Sequence, residues 1–196
     1  MEEILLLLST LLAQSKKPEG WLGKVMMKLW NKAYFPMVKW GLGFANIPQN
    51  GTILDVGVGN GLTTKYLSQR APSSLVTGID ISETAITMAR KNNAADDISF
   101  SVMSVEKMSF PDNSFDLVTA FQTHFHWPSY VRGLEEIYRV LKYNGQVIIA
   151  CEKVKLNYFM SNDKNGEYTQ VITKDIVFNK CSQYYYHGWL CYYFIK

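Results

Sequence analysis

The stretch Thr52-Ile53-Leu54-Asp55-Val56-Gly57-Val58-Gly59-Asn60-Gly61-Leu62 constrains this 196-residue chain more than any other part of it. A short β-branched run ends near an acid, three glycines follow at alternate positions, and helix-forming residues come next. Glycine here lets the backbone turn sharply and lets a ligand approach the main chain with no Cβ in the way. The first N–H groups of the following helix lack partners within it and, with the positive end of its dipole, face the same space. Such a loop between a buried strand and a helix opens a βαβ unit with an anion-tolerant site at the strand's carboxyl end.

The rest of the chain continues this alternation. With Thr52–Val56, strands are expected at Leu75–Asp80, Ile98–Val102, Phe115–Phe121 and Gln146–Cys151. Helices are expected from about Asn60 to Arg70, Glu83 to Ala94 and Tyr130 to Leu141, the last stopped by Asn144-Gly145. Pro111-Asp112-Asn113-Ser114 supplies a turn. This order implies a mainly parallel sheet covered by helices. Thr169–Phe178 and Tyr184–Phe194 read as two adjacent strands without a crossover, hence an antiparallel pair whose aromatics pack on the sheet. Ahead of the sheet, Ile4–Ala13 and Trp21–Ala33 read as helices, with Lys24, Lys28 and Lys32 forming one solvated stripe. Residues 1–50 are thus an expected helical cap, and residues 51–196 the main domain.

Charge and cysteine usage narrow the partners. Residues 1–50 carry six lysines and three glutamates, while the remainder balances, so the whole formal surplus of +3 lies in the first quarter. That is too small a surplus for a duplex nucleic-acid binder. Cys151, Cys181 and Cys191 are odd in number and lack CxxC spacing, which argues against a disulfide framework or a metal site and fits a reducing cytoplasm. The apolar run Ile4–Ala13 is half the length of about 20 residues that a spanning helix needs. It follows Glu2 and Glu3 rather than the basic residues of a secretory leader. The expectation is a cytoplasmic protein with no membrane span, acting on a small molecule.

Two acids define the ligand. The dinucleotide fingerprint would need glycine where Leu62 stands, and no GxxxxGK[ST] run occurs, so an NAD site and a P-loop are disfavoured. Asp55, two residues before the first glycine, would repel a pyrophosphate but suits a cationic amine. Asp80 ends the second strand, 19 residues beyond Gly61, where a carboxylate accepts hydrogen bonds from ribose hydroxyls. Ser82 is the better N-cap for the helix at Glu83. A ribose, an ammonium and a carboxylate without a phosphate describe S-adenosylmethionine.

Four stretches together carry a family resemblance. They are Ile53–Gly61, Val76–Ser82, Phe110-Pro111-Asp112-Asn113-Ser114-Phe115-Asp116-Leu117-Val118, and Glu136–Gly145. From about Trp21 to Ala150 the chain resembles the class I S-adenosylmethionine-dependent methyltransferases that act on small molecules. Lys17–Gly23 and Trp40-Gly41-Leu42 are similar to an uncharacterised bacterial subgroup. The resemblance implies a doubly wound, Rossmann-like α/β fold with a C-terminal antiparallel hairpin. It also implies that Gly57, Gly59 and Gly61 contact the methionyl moiety, that Asp55 reaches its ammonium, and that Ile81 packs on the adenine. Ser104 and Val105 fall beside the adenine amino group, with Ser104 standing where a carboxylate is usual. Phe121 and Gln122 are expected cofactor contacts.

Methyl transfer from a sulfonium asks mainly for in-line positioning and exclusion of water. Acceptor contacts are expected after the fourth strand, at Thr123, His124 and Trp127, and from the cap at Tyr34, Lys39 and Trp40. His124 and His126 are the candidates for a general base. Lys39 would favour an anionic acceptor. The absence here of an acid or Asn followed by Pro-Pro argues against enzymes that methylate nucleic-acid bases or glutamine. After Glu152 the chain lacks the family's longer crossover helix, which keeps a non-catalytic binding module as the alternative.

Overall fold

The computed structural model describes residues 33–93, 95–160, 176 and 178–196, together with Val25. The helix expected at Ile4–Ala13, most of that at Trp21–Ala33, the lysine stripe and nearly all of Thr169–Phe178 lie outside the described residues. Helical residues 33–42 (α1) lead to β1 (Thr52–Val56), α2 (Leu62–Arg70), β2 (Leu75–Asp80), α3 (Glu83–Asn92) and β3 (Ile98–Val102). β4 (Phe115–Phe121), a 3-10 turn (His124–His126), α4 (Tyr130–Val140), β5 (Leu141–Glu152), α5 (Lys153–Phe159), β6 (Lys180–Tyr186) and β7 (Trp189–Ile195) complete the order.

The strands form one seven-stranded sheet in the order β3-β2-β1-β4-β5-β7-β6. β1 pairs in parallel with both β2 and β4, which makes it the point where the strand order reverses. Ligands in open α/β sheets bind in the crevice at that point. β7 runs antiparallel to β5 and β6. The fold is therefore the doubly wound α/β architecture with an antiparallel C-terminal hairpin.

Both faces of the central strands are apolar, and adjacent residues feed opposite cores. Leu54, Val118, Ile149, Tyr192 and Phe194 pack beneath α4. Their neighbours Ile53, Leu117, Ile148, Cys191 and Tyr193 pack with Met37, Val38 and Leu42 of α1 and Leu67 of α2. The strand period of two explains the split. Helix α1, for which the sequence reading gave no helix beyond Ala33, thus shares the core of the sheet.

Four boundaries differ from the sequence reading, each for a local reason. α2 starts at Leu62 because Gly61 caps it in the left-handed region, at φ 81°. α3 ends at Asn92, where Asn93 leaves the helical region at φ −142° and ψ 72°. β5 starts at Leu141, directly after α4, and a register shift opposite β4 absorbs the turn residues, with Asn144 at φ 62°. The largest correction concerns the tail. Tyr184–Phe194 is not one strand but parts of two, joined by His187 (φ 45°) and Gly188 (φ 86°). Two successive left-handed residues are what a tight hairpin requires.

Candidate functional site

Four successive strand ends meet in one cavity. Asp55–Gly59 spans the end of β1 and the loop after it, Asp80 ends β2 with Ile81 next, Met103–Val105 follows β3, and Phe121 ends β4 with Gln122 and Thr123 next. Tyr34 and Val38 of α1 and His126–Pro128 of the 3-10 segment close the opposite wall. The glycine loop is held against β2, since Gly57 N and Val58 N donate to Ile79 O at 2.8 and 3.2 Å. Gly57 (φ 74°) and Gly59 (φ 55°) both adopt left-handed backbone. A Cβ on Gly57 would stand 2.3 Å from Thr123 Oγ1, so no other residue fits between the loop and the end of β4. α2 reaches the cavity at its second residue, Thr63.

Asp80 is positioned by main-chain donors. Its Oδ2 accepts from Gly59 N at 3.0 Å and its Oδ1 from Ser82 N at 2.9 Å. Burial pushes its pKa up, and the N–H groups of Ser82, Gly59 and Ile81 pull against that shift. Asp55 is buried beneath the loop, where Oδ2 accepts from Thr64 Oγ1 and Oδ1 from Thr119 Oγ1, each at 2.8 Å. Burial raises its pKa to about 6, against the two hydroxyl bonds and with the help of Asp80. A buried carboxylate that resists ionisation gains most from a cation. Gln122, at φ 57°, accepts from Glu152 N through Oε1, while its buried Nε2 has no partner among the described residues. These features fit a ligand with vicinal hydroxyls for Asp80, an ammonium for Asp55 and a hydrogen-bond acceptor for Gln122.

Residues 54–149 match the methyltransferase domain family. Over 105 residues the chain is 37% identical to the ubiquinone/menaquinone biosynthesis C-methyltransferase of Geotalea daltonii, covering 51% of this chain and 45% of that protein. Over 101 residues it is 42% identical to the demethylmenaquinone methyltransferase of Symbiobacterium thermophilum, covering 49% and 40%. The chain thus spans less than half the length of these relatives. The methyltransferase in the Haloferax volcanii complex with the Trm112 activator superposes with a TM-score of 0.70, at 20% identity, over 86% of this chain and 92% of that one. Residues 54–149 are a methyltransferase domain.

The cavity gathers most of the residues singled out by sequence. Asp55, Gly57, Gly59, Asp80, Ile81, Ser104, Val105, Phe121 and Gln122 line the cavity, as do Tyr34, Thr123, His126 and Trp127. Gly61 does not. A Cβ there would meet Asn93 Nδ2 at 2.4 Å and Ala89 Cβ at 3.0 Å, so this glycine serves the packing of α2 on α3. His124 is fully buried among Phe125, Trp127, Tyr130 and Tyr192, away from the cavity, and burial pushes its pKa down to about 3.

Lys39 and Trp40 are also displaced from the site. Lys39 is exposed, its ammonium 5.0 Å from the ring centre of Phe35 and 5.9 Å from that of Tyr66. Trp40 packs on Phe44 and Trp189 instead. Helical phase accounts for both: Tyr34 and Val38, four apart, share the face toward the cavity, and positions 39 and 40 turn away from it. Sequence reasoning missed Met103, which the strand-end rule would have found, and Lys155, which bonds Tyr34 and had no local signal. Among the described residues no cluster of His, Cys, Asp or Glu is arranged to hold a metal, and no helix is long and apolar enough to cross a membrane.

Proposed function

We propose that this protein transfers a methyl group from S-adenosylmethionine to a small-molecule acceptor. The convergence of four strand ends on one cavity, with Asp80 fixed at its rim by Gly59 N–H and Ser82 N–H, carries the reading. When bound, the sulfonium supplies an electrophilic methyl group. The chain's own part is binding, orientation and exclusion of water. Asp80 accepts from the ribose hydroxyls, and Gly57 and Gly59 let the main chain lie against the methionyl portion. Asp55, held in place by Thr64 and Thr119, balances the ammonium charge. Ile81 and Val105 flank the adenine. Ser104 Oγ accepts from Glu106 N within its own loop and leaves its proton free for the ring.

The acceptor side is aromatic: Tyr34, Phe121, His126 and Trp127 face it. The two relatives above are named for quinone chemistry, which agrees with a flat, largely apolar acceptor here. The matched span, residues 54–149, leaves out α1, which brings Tyr34 and Val38 to that end of the site. Where the acceptor must lose a proton, His126 takes it, because His124 is sealed in the core. Calorimetric titration with S-adenosylhomocysteine tests the first half, and no binding at millimolar ligand overturns it. Release of S-adenosylhomocysteine across a panel of phenols, quinols and amines tests the second; absence of turnover with every member favours a non-catalytic module.

A further inference from the structure

The wall facing the glycine loop joins two elements that lie far apart in sequence. Lys155 of α5 donates to Tyr34 Oη of α1, and its ammonium lies 4.0 Å from the centre of the tyrosine ring. Glu152 stands 3.4 Å from the same ammonium. Tyr34 borders the cavity, whereas Lys155 is not among the residues that line it. A phenolic hydroxyl has one proton to give and lone pairs to accept with. Among the described residues the bond from Lys155 is the only one at Tyr34 Oη, and it occupies a lone pair, so the proton remains to be donated elsewhere. Burial first, and then Glu152, raise the Tyr34 pKa to about 12, so the proton stays in place at neutral pH.

We propose that Tyr34, oriented by Lys155, donates a hydrogen bond to an oxygen of the methyl acceptor and so selects ring-bearing acceptors that carry a phenolic or carbonyl oxygen. This rests on the methyltransferase reading above. Discrimination follows because a partly buried donor left unmatched disfavours an analogue lacking the oxygen far more than a missing methylene does. Glu152 balances the charge of Lys155, so the demand is for a hydrogen-bond acceptor rather than for net negative charge. Tyr34 is the specificity residue and Lys155 a positioning residue acting through it.

The probe pair is para-nitrophenol, whose visible band reports its ionisation, and para-nitrotoluene, which has a methyl in place of the hydroxyl. Each is titrated into the protein with and without S-adenosylhomocysteine. Tyr34→Phe is expected to weaken para-nitrophenol by about tenfold or more and para-nitrotoluene by less than about twofold, with S-adenosylhomocysteine affinity unchanged. Lys155→Met is expected to weaken para-nitrophenol, and Lys155→Arg to restore it. Equal losses for the two probes, no loss in Tyr34→Phe, or no binding of para-nitrophenol to the wild type would overturn the proposal. Failure of the wild type to bind S-adenosylhomocysteine sinks the methyltransferase reading instead, and the titrations without it then judge Tyr34 alone.

Discussion

The two walls of the cavity are built on different plans. The wall made by β1, β2 and β3 is a continuous set of strand ends, braced by main-chain hydrogen bonds such as those from Gly57 N and Val58 N to Ile79 O. The opposite wall is assembled from α1, the 3-10 segment and the end of β5, joined by side chains: Lys155 to Tyr34, and Gln122 Oε1 to Glu152 N. Main-chain bracing tolerates no change in backbone but is indifferent to most side chains. Side-chain bracing can be rebuilt by substitution without disturbing the sheet. A fold that keeps one cofactor and changes acceptors needs this division.

Asp80→Ala breaks the rigid wall most completely. It removes the acceptor for two main-chain donors and for the ribose, where hydrogen bonds to a charged group contribute about 1.5–3 kcal/mol each. The expected loss in S-adenosylhomocysteine affinity is at least about a hundredfold, read by calorimetry. A loss under about threefold would mean the ribose lies elsewhere.

Asp55→Asn sharpens the same comparison by separating stability from binding. With its pKa raised from 3.8 to about 6, Asp55 holds more proton folded than unfolded between those values. Its contribution to stability is therefore full below about pH 4 and lost as pH rises through about 6, by about 3 kcal/mol in all. The neutral Asn variant should melt higher than wild type at pH 7 without ligand and bind S-adenosylhomocysteine about tenfold more weakly. Wild-type affinity should rise with pH up to about 6 and level off, because only ionised Asp55 pairs with an ammonium. A pH-independent affinity would remove Asp55 from that role.

The rigid wall was readable in the sequence because its chemistry is local. An acid, alternate glycines and a second acid at the next strand end fix Asp55, Gly57, Gly59 and Asp80 within two short segments. The other wall depends on which residues 100 or more positions apart come together, as Tyr34 and Lys155 do, and no spacing rule reports that. The tail was misread for a different reason. Tyr184–Phe194 is aromatic on both sides of His187-Gly188, so the hydrophobic pattern runs through the turn without a break. Gly61 was assigned to the ligand because the motif groups it with its neighbours, whereas its space is taken by Ala89 and Asn93.

Two glycines of the same backbone conformation separate the cavity from the periphery. Gly57→Ala and Gly188→Ala each place a Cβ at positive φ, 74° and 86°, which costs about 1–2 kcal/mol. Nothing lies within 4 Å of a Cβ on Gly188, whereas one on Gly57 collides with Thr123. Both variants should lose stability in thermal melts, but only Gly57→Ala should lose cofactor affinity. Equal affinities would show that the loop yields without closing the site.

The smallest expected effect is at Lys39, the residue whose charge first suggested an anionic acceptor. Its ammonium lies over Phe35 and Tyr66 on the outer side of α1, and the cavity face of that helix belongs to Tyr34 and Val38. Lys39→Ala should therefore leave S-adenosylhomocysteine affinity and para-nitrophenol binding unchanged and lower stability by no more than about 1 kcal/mol, the worth of an exposed cation–π contact. A loss of para-nitrophenol binding in Lys39→Ala at low salt would return the charge of α1 to the acceptor's side of the site. It would also mean that the wall held by side chains reaches beyond Tyr34 and Lys155.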